Sequence, residues 1–179
     1  MVAFNQQDKH ENRLDWKILS DGSIALYWQH EVFNENLDWF RQQHYQVISF
    51  DCERWASTEE MHADLHRKLS LPAYYGRNLD ALNDCLGDLS VPDSGGMALA
   101  LTRFDAYAKG SGATLTASGR PEAEIVLDLL ARASRHFLLT GRRFVTLVQT
   151  DDPRNRFDTL GCLSAHWNHR EWLNKNRGL

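Results

Sequence analysis

The chain has 179 residues, with 24 acidic against 20 basic side chains and a net charge of −4 at pH 7. That length is enough for one well-buried domain, and three widely spaced cysteines, Cys52, Cys85 and Cys162, fit neither a disulfide framework nor a structural zinc site. Basic clusters are short, at Arg142 and Arg143 and in the last ten residues, so no direct nucleic-acid partner is expected. With no leader-like start and no apolar run of about 18 residues, a cytoplasmic protein that does not span a membrane is expected.

In chain order, two apolar-rich runs over residues 14–19 and 24–28, separated by Ser20, Asp21, Gly22 and Ser23, read as a β-hairpin. Asn34 or Asn36 is then placed to cap a helix over residues 37–44, with Trp39 and Phe40 turned inward. Residues 46–52 read as a strand. Ser57, Thr58, Glu59 and Glu60 form a capping box that opens a helix reaching about Leu69, with Pro72 as its stop. A turn and a further helix follow from Asn78, then a loop around Gly95 and Gly96 and a buried strand over residues 97–101. Residues 104–109 read as a short helix, 122–136 as an amphipathic helix led by Pro121, and 144–149 as a Val- and Phe-rich strand. Short strands alternating with helices imply an α/β fold with a small parallel sheet flanked by helices. The tail, 151–179, carries Leu163, Trp167 and Leu173 at roughly helical spacing, so a short docked helix is expected there. Residues 1–44 and 151–179 are read as extensions of one folded unit spanning 1–179, since no Gly- or Pro-rich linker precedes Tyr45.

Segment 71–89, LPAYYGRNLDALNDCLGDL, concentrates the functional signal. At 100° per residue, Leu79, Leu82, Cys85, Leu86 and Leu89 share one stripe, while Asp80, Asp84 and Asp88 share the far side. Like charges at i,i+4 cost a few tenths of a kcal/mol (about 0.2–0.5) per pair, and no Lys or Arg follows Arg77 to relieve them. Asp80 has a second use in the first helical turn, where it complements the macrodipole. An acidic helix face kept at a cost suits a basic protein partner.

The run LPxYYGxNLDALxDCL, over residues 71–86, resembles the barstar family of intracellular ribonuclease inhibitors, and the order of elements matches over about residues 45–150. The resemblance implies a barstar-like fold, no enzymatic activity, no cofactor and no metal. It also implies a basic ribonuclease as partner, blocked at its active site by Tyr74, Gly76, Asn78, Asp80, Asn83 and Asp84 in the manner of an antitoxin. Tyr74 is then the contacting ring and Tyr75 the packing one. Gly76 is expected to supply a backbone angle that a side chain forbids, with Asn78 as helix cap. Asn83 stands where the family has a tryptophan, and Arg132 where it has a contacting glutamate. Both departures imply a partner surface that differs from barnase.

Two other readings share these residues. One is an acidic module for a basic partner that is not a nuclease. The other is a hydrolase using Asp80 and Asp84 as an acid–base pair, against which stands their shared environment on one convex helix face. His62 and His66, at i,i+4, read as solvent-facing rather than metal-binding, and His166 and His169 lack a surrounding ligand set. Cys85, on the apolar stripe, reads as an inert buried thiol.

Overall fold

The computed structural model describes residues 3–11, 13–157, 159–161, 163, 164, 166–168, 170, 171 and 176. The expectations for Cys162, His169 and Leu173 lie outside the described residues. In order, the elements are α1 (Gln6–His10), α2 (Leu14–Asp21), β1 (Ile24–Tyr27), α3 (His30–Gln42), β2 (Tyr45–Asp51), α4 (Thr58–Leu69), α5 (Leu79–Gly87), β3 (Gly96–Thr102), α6 (Phe104–Lys109), α7 (Glu122–Leu139), β4 (Phe144–Gln149), β5 (Thr159–Leu160), β6 (Leu163–Ser164) and β7 (His166–Trp167).

Strands β2, β3, β4, β1 and β7 lie side by side in that order, and every pairing in this sheet is parallel. The three central expectations, 46–52, 97–101 and 144–149, are thus strands of one sheet. Alternation along each strand divides the core in two. On one face Ala25, Tyr27, Ala98, Ala100, Val145 and Leu147 pack against α2 and α3 through Ile18, Phe33, Leu37 and Phe40. On the other, Leu26, Phe50, Leu99, Leu101 and Val148 pack against α4 to α7 through Leu65, Leu82, Leu86, Val126 and Leu130. Both faces being covered, β3 and β4 read as nearly continuous apolar runs. Gly96 opens β3 at φ 138°, where a Cβ would come within 2.4 Å of the Arg143 carbonyl, so only glycine fits beside the start of β4.

The hairpin expected over 14–28 is instead a helix followed by a strand. Leu14, Trp16 and Ile18 satisfy a period of two, but Leu14 and Ile18 also satisfy i,i+4. The helix also carries Asp15 into a buried site of opposite charge. There Asp15 accepts hydrogen bonds from the Arg13 guanidinium at 3.1 and 2.9 Å, the Tyr45 hydroxyl at 2.7 Å and Arg143 at 3.1 Å. Burial alone would raise the Asp15 pKa, but the bonds from Arg13 and Tyr45 and the charges of the two guanidiniums outweigh it and hold the carboxyl below its usual range. Gly22, at φ 131°, ends the helix, and β1 then pairs with β4 in parallel register, Ile24 opposite Thr146.

Helix α3 also begins earlier than Asn34 or Asn36 would place it, because its cap comes from far along the chain. The buried Glu171 carboxylate accepts from the amides of Trp28 at 3.0 and 3.1 Å and Gln29 at 2.6 Å. Asn36 lies inside the helix and donates to the Tyr27 hydroxyl at 2.9 Å. Among the described residues of the tail, short strands stand where a helix was expected. Trp167 extends the sheet beside Leu26, and β5 pairs with β6 in antiparallel fashion. Helix α4 carries the Ser57 cap foreseen for it, the Ser57 hydroxyl accepting from the Glu60 amide. It ends at Ser70, held at φ 52°, two residues before Pro72.

Candidate functional site

Helix α5 starts where the sequence places it, with the Asn78 carboxamide accepting from the Ala81 amide at 2.8 Å. Its inner face is firmly seated. Leu82, Cys85 and Leu86 are buried against α7, and Leu89 is buried just beyond the last turn. Tyr74, Gly76, Asn78, Asp80, Asn83 and Asp84 are all exposed, on the turn before α5 and on its outer side. No ion pair among the described residues involves Asp80, Asp84 or Asp88. The Asp84 carboxylate has one long contact of 3.4 Å from the Asn83 carboxamide. Asp88 is the C-cap, where the helix dipole favours a cation rather than a carboxylate.

The two tyrosines divide sharply. Tyr74 is 79 % exposed, the most exposed aromatic ring of the described residues, while Tyr75 is 6 % exposed. Tyr75 packs beside the rings of His62 and His66, and its hydroxyl meets His62 Nδ1. Burial raises the Tyr75 pKa, and with it that of the Cys85 thiol, to which Asp88 and Asp84 add. Gly76 does not have the angle expected of it. The left-handed residue is its neighbour Arg77, at φ 49°, and a Cβ on Gly76 would meet the Asn78 side chain at 3.3 Å and Ala81 at 3.5 Å. Gly76 keeps the approach to the helix N-terminus open rather than supplying a turn.

His62, expected to face solvent, is fully buried instead. Its position was legible: with Leu65 and Leu69 it forms an i, i+3, i+7 stripe on the inner face of α4. Burial lowers its pKa, with Glu122 and Glu59 acting the other way, so the ring is neutral near pH 7. Its Nε2 has no hydrogen-bond partner. Close by in the fold, the Glu122 carboxylate accepts from the Thr58 hydroxyl at 2.9 and 3.1 Å and the Tyr107 hydroxyl at 2.8 Å. His62, Glu122 and Thr58 line a groove of about 440 Å³ shared with Arg77, Asn78 and Asp80. This groove is not legible in the sequence, since Thr58 and Glu122 are 64 residues apart.

Arg132 lies exposed on α7, the helix on which α5 packs. Among the described residues no group of three or more His, Cys, Asp and Glu side chains could hold a metal, and no helix is long and apolar enough to cross a membrane. Chemically the α5 face offers fixed negative charge and hydrogen-bond acceptors around one projecting ring. Asp80 and Asp84 lie one turn apart on the same exposed helix face.

Comparison with known proteins places these elements in context. A family model described as Barstar (barnase inhibitor) matches residues 45–149, the span from β2 to β4. A protein of Bacillus subtilis (strain 168) named "Putative ribonuclease inhibitor YrdF" is 44% identical over 59 residues, which cover 32% of this chain and 60% of that one. Among solved structures, the Walker-type ATPase PABY2304 of Pyrococcus abyssi aligns at a TM-score of 0.42 and 12% identity, over 84% of this chain and 46% of the other.

Proposed function

The chain belongs to the barstar family, and from that premise we propose that it is an intracellular, cytoplasmic inhibitor of a basic ribonuclease, acting as an antitoxin does by filling the enzyme's active site. Asp84, supported by Asp80, occupies the place of an RNA phosphate among the cations that hold it. Tyr74 lies against the rim, and Asn78 and Gly76 leave the helix N-terminus open to the partner. A carboxylate on a helix supplies the charge of a phosphodiester without a bond to cleave, so the inhibitor is not consumed and performs no chemistry.

The observation that carries this reading is the α5 face itself: three exposed aspartates with no ion pair among the described residues, opposite the buried Leu82, Cys85 and Leu86. Asn83 and Arg132, a small amide and a cation where the family has a tryptophan and a glutamate, direct the inhibitor to a nuclease whose surface differs from that of barnase. The test is to retain a ribonuclease from an extract of the source cells at low salt, then measure its inhibition by wild type, Asp84→Ala and Asp80→Ala over a salt series. Loss of one partner of a buried, hydrogen-bonded charge pair typically costs about 2–5 kcal/mol, a figure that comes from interfaces such as barnase–barstar and not from this structure. Asp84→Ala should therefore weaken binding by tens to thousands of times. Association should slow with salt, because attraction between an acidic face and a basic cleft is screened over about 8–10 Å. Unchanged affinity in both variants would show that α5 is not the binding face. Retention of a basic protein without nuclease activity would favour the plain interaction module.

A further inference from the structure

Among the described residues the parallel sheet ends in β7 on one side, with two residues, and in β2 on the other, with seven. A short edge offers little to a stray strand, whereas a long one is a template for pairing with another chain. Which groups β2 leaves open follows from its pairing with β3. The Phe50 carbonyl faces β3, since it also accepts from the Thr102 hydroxyl at 2.9 Å, and successive residues of a strand turn their backbone groups to opposite sides. The N–H and C=O groups of Tyr45, Val47 and Ser49 therefore point away from the sheet. Among the described residues one of these groups is met: the Ser49 carbonyl accepts from Lys68 Nζ at 2.8 Å.

The strand itself carries none of the features that keep such an edge single. Residues 45–49 include no charge and no proline, and the helices on either face leave Val47 and Ile48 half-buried. The segment is also self-complementary. Turned about a two-fold axis at Val47, a second copy of β2 runs antiparallel to the first, with Val47 of one copy beside Val47 of the other and Tyr45 beside Ser49. Every outward N–H then faces a carbonyl, and no like charges oppose one another. Backbone groups on an edge are matched in full only by another strand, so the edge sets the kind of occupant, and β2 supplies one in matching register.

Lys68 closes this edge from outside. It reaches from α4 over the Phe50 ring, its ammonium 4.9 Å from the ring centre, and pairs with Asp64 at 3.2 Å while it holds the Ser49 carbonyl. Asp64 is fixed in turn by the Trp55 indole, which donates to it at 3.1 Å. We infer that the outer edge of β2 is a self-pairing surface that Lys68 keeps closed, so that the wild-type chain stays single and loss of the ammonium lets two copies join edge to edge in one continuous sheet. A second copy has to take the Ser49 carbonyl from a cation that is bound in three ways, and lysine placed at an edge is a common guard against such pairing. The inference depends on β2 and α4 alone and not on the function proposed for α5.

Lys68→Met tests this, because it keeps a stem over Phe50 and removes the donor. Sedimentation over a concentration series should find the wild type monomeric throughout and Lys68→Met passing from monomer to dimer, with unchanged far-UV circular dichroism. Val47→Pro removes an outward N–H that the sheet does not use, so Lys68→Met combined with Val47→Pro should be monomeric again. Hydrogen exchange of the wild type needs no variant: the amides of Val47 and Ser49 should exchange at least about tenfold faster than those of Ile48 and Phe50 at every concentration. Slow exchange at Val47 and Ser49, or a wild-type dimer, overturns the proposal. So does a folded Lys68→Met chain that stays monomeric at the highest concentration reached. A dimer that persists in the double variant overturns it as well, since the contact then lies elsewhere.

Discussion

Replacing Asp15 with alanine tests whether the N-terminal elements are held to the sheet by the polar network beneath them. Asp15 is fully buried and joins α2 to Tyr45 at the start of β2 and to Arg143 just before β4. Its removal leaves the Tyr45 hydroxyl buried without an acceptor, at about 1–3 kcal/mol, and takes the counter-charge from two guanidiniums. Loss of one partner from a fully buried pair costs about 3–5 kcal/mol. Arg13 and Arg143, however, are 20% and 21% exposed and recover part of that from water. About 3 kcal/mol is expected in total, which for a chain of this size lowers Tm by about 6–12 °C. Asp15→Asn, which keeps an acceptor for Tyr45 but not the charge, should cost about half as much. The pH dependence has a fixed sign. The folded-state pKa lies below the unfolded value, so the stabilisation is fully present above about pH 4. It is lost as pH falls through the folded value. Calorimetry of wild type and Asp15→Ala should therefore give a constant gap from about pH 5 to 8 that narrows below about pH 4. A drop under about 2 °C at neutral pH, or a gap that widens in acid, would refute the argument.

Three further outcomes follow from the same geometry. A chain beginning at Tyr45 loses Ile24, Leu26, Tyr27, Phe33, Leu37 and Phe40 from the core. At about 1.5–3 kcal/mol each, that rivals the total stability of a typical domain, so we propose that residues 1–44 belong to one folded unit with the rest. The truncated chain should melt at least 10 °C lower or show no cooperative transition, whereas an unchanged Tm would make them an independent appendage. Glu171→Ala removes the cap of α3 and should cost about 1–3 kcal/mol, with faster amide hydrogen exchange at Trp28 and Gln29; unchanged exchange there would dismiss the cap. Asp84→Ala and Asp80→Ala should shift urea midpoints negligibly while changing binding, Asp80→Ala losing at most a few tenths of a kcal/mol (about 0.3) of dipole interaction. A destabilisation above about 1 kcal/mol in Asp84→Ala would mean that the aspartate serves the fold.

What the sequence showed and what it hid divide along a physical line. Signals that are local and redundant were readable. Ser57 with Glu60 capped α4, Asn78 capped α5, and apolar runs with turn residues on both sides marked β2, β3 and β4. Signals that depend on distant partners were not. Residues 14–18 satisfy two periods equally, and the choice of helix rests on Asp15 meeting Tyr45 and Arg143, which lie 30 and 128 residues away. The start of α3 depends on Glu171, 143 residues beyond Trp28. His62 is the exception: its i,i+3 relation to Leu65 places it on the buried stripe by local periodicity alone, while its i,i+4 relation to His66 suggests an exposed pair. At the candidate site, the exposure of the α5 face followed from local periodicity. The groove beside it did not, for it is assembled from α4, α5 and α7 only once the chain has closed.

The same division explains how the fold tolerates a face that works against itself. Repulsion among Asp80, Asp84 and Asp88 amounts to a few tenths of a kcal/mol (about 0.2–0.5) per neighbouring pair. Burial of Leu82, Cys85 and Leu86 on the inner side of the same helix contributes several kcal/mol (about 1.5–3 per large apolar side chain). Apart from the Asn78 cap and the small dipole contribution of Asp80, the outer residues add little to the fold, which on the proposed function leaves their identity to a partner. Because α5 is anchored by its Asn78 cap and its apolar stripe, the carboxylates are held on a rigid base before any partner arrives. Binding then requires little ordering of the backbone, and the unfavourable charge is relieved only when cations approach. On the function proposed above, an acidic face mounted this way is weakly destabilising alone and strongly stabilising in a complex, so its energetic value is measured with the partner present.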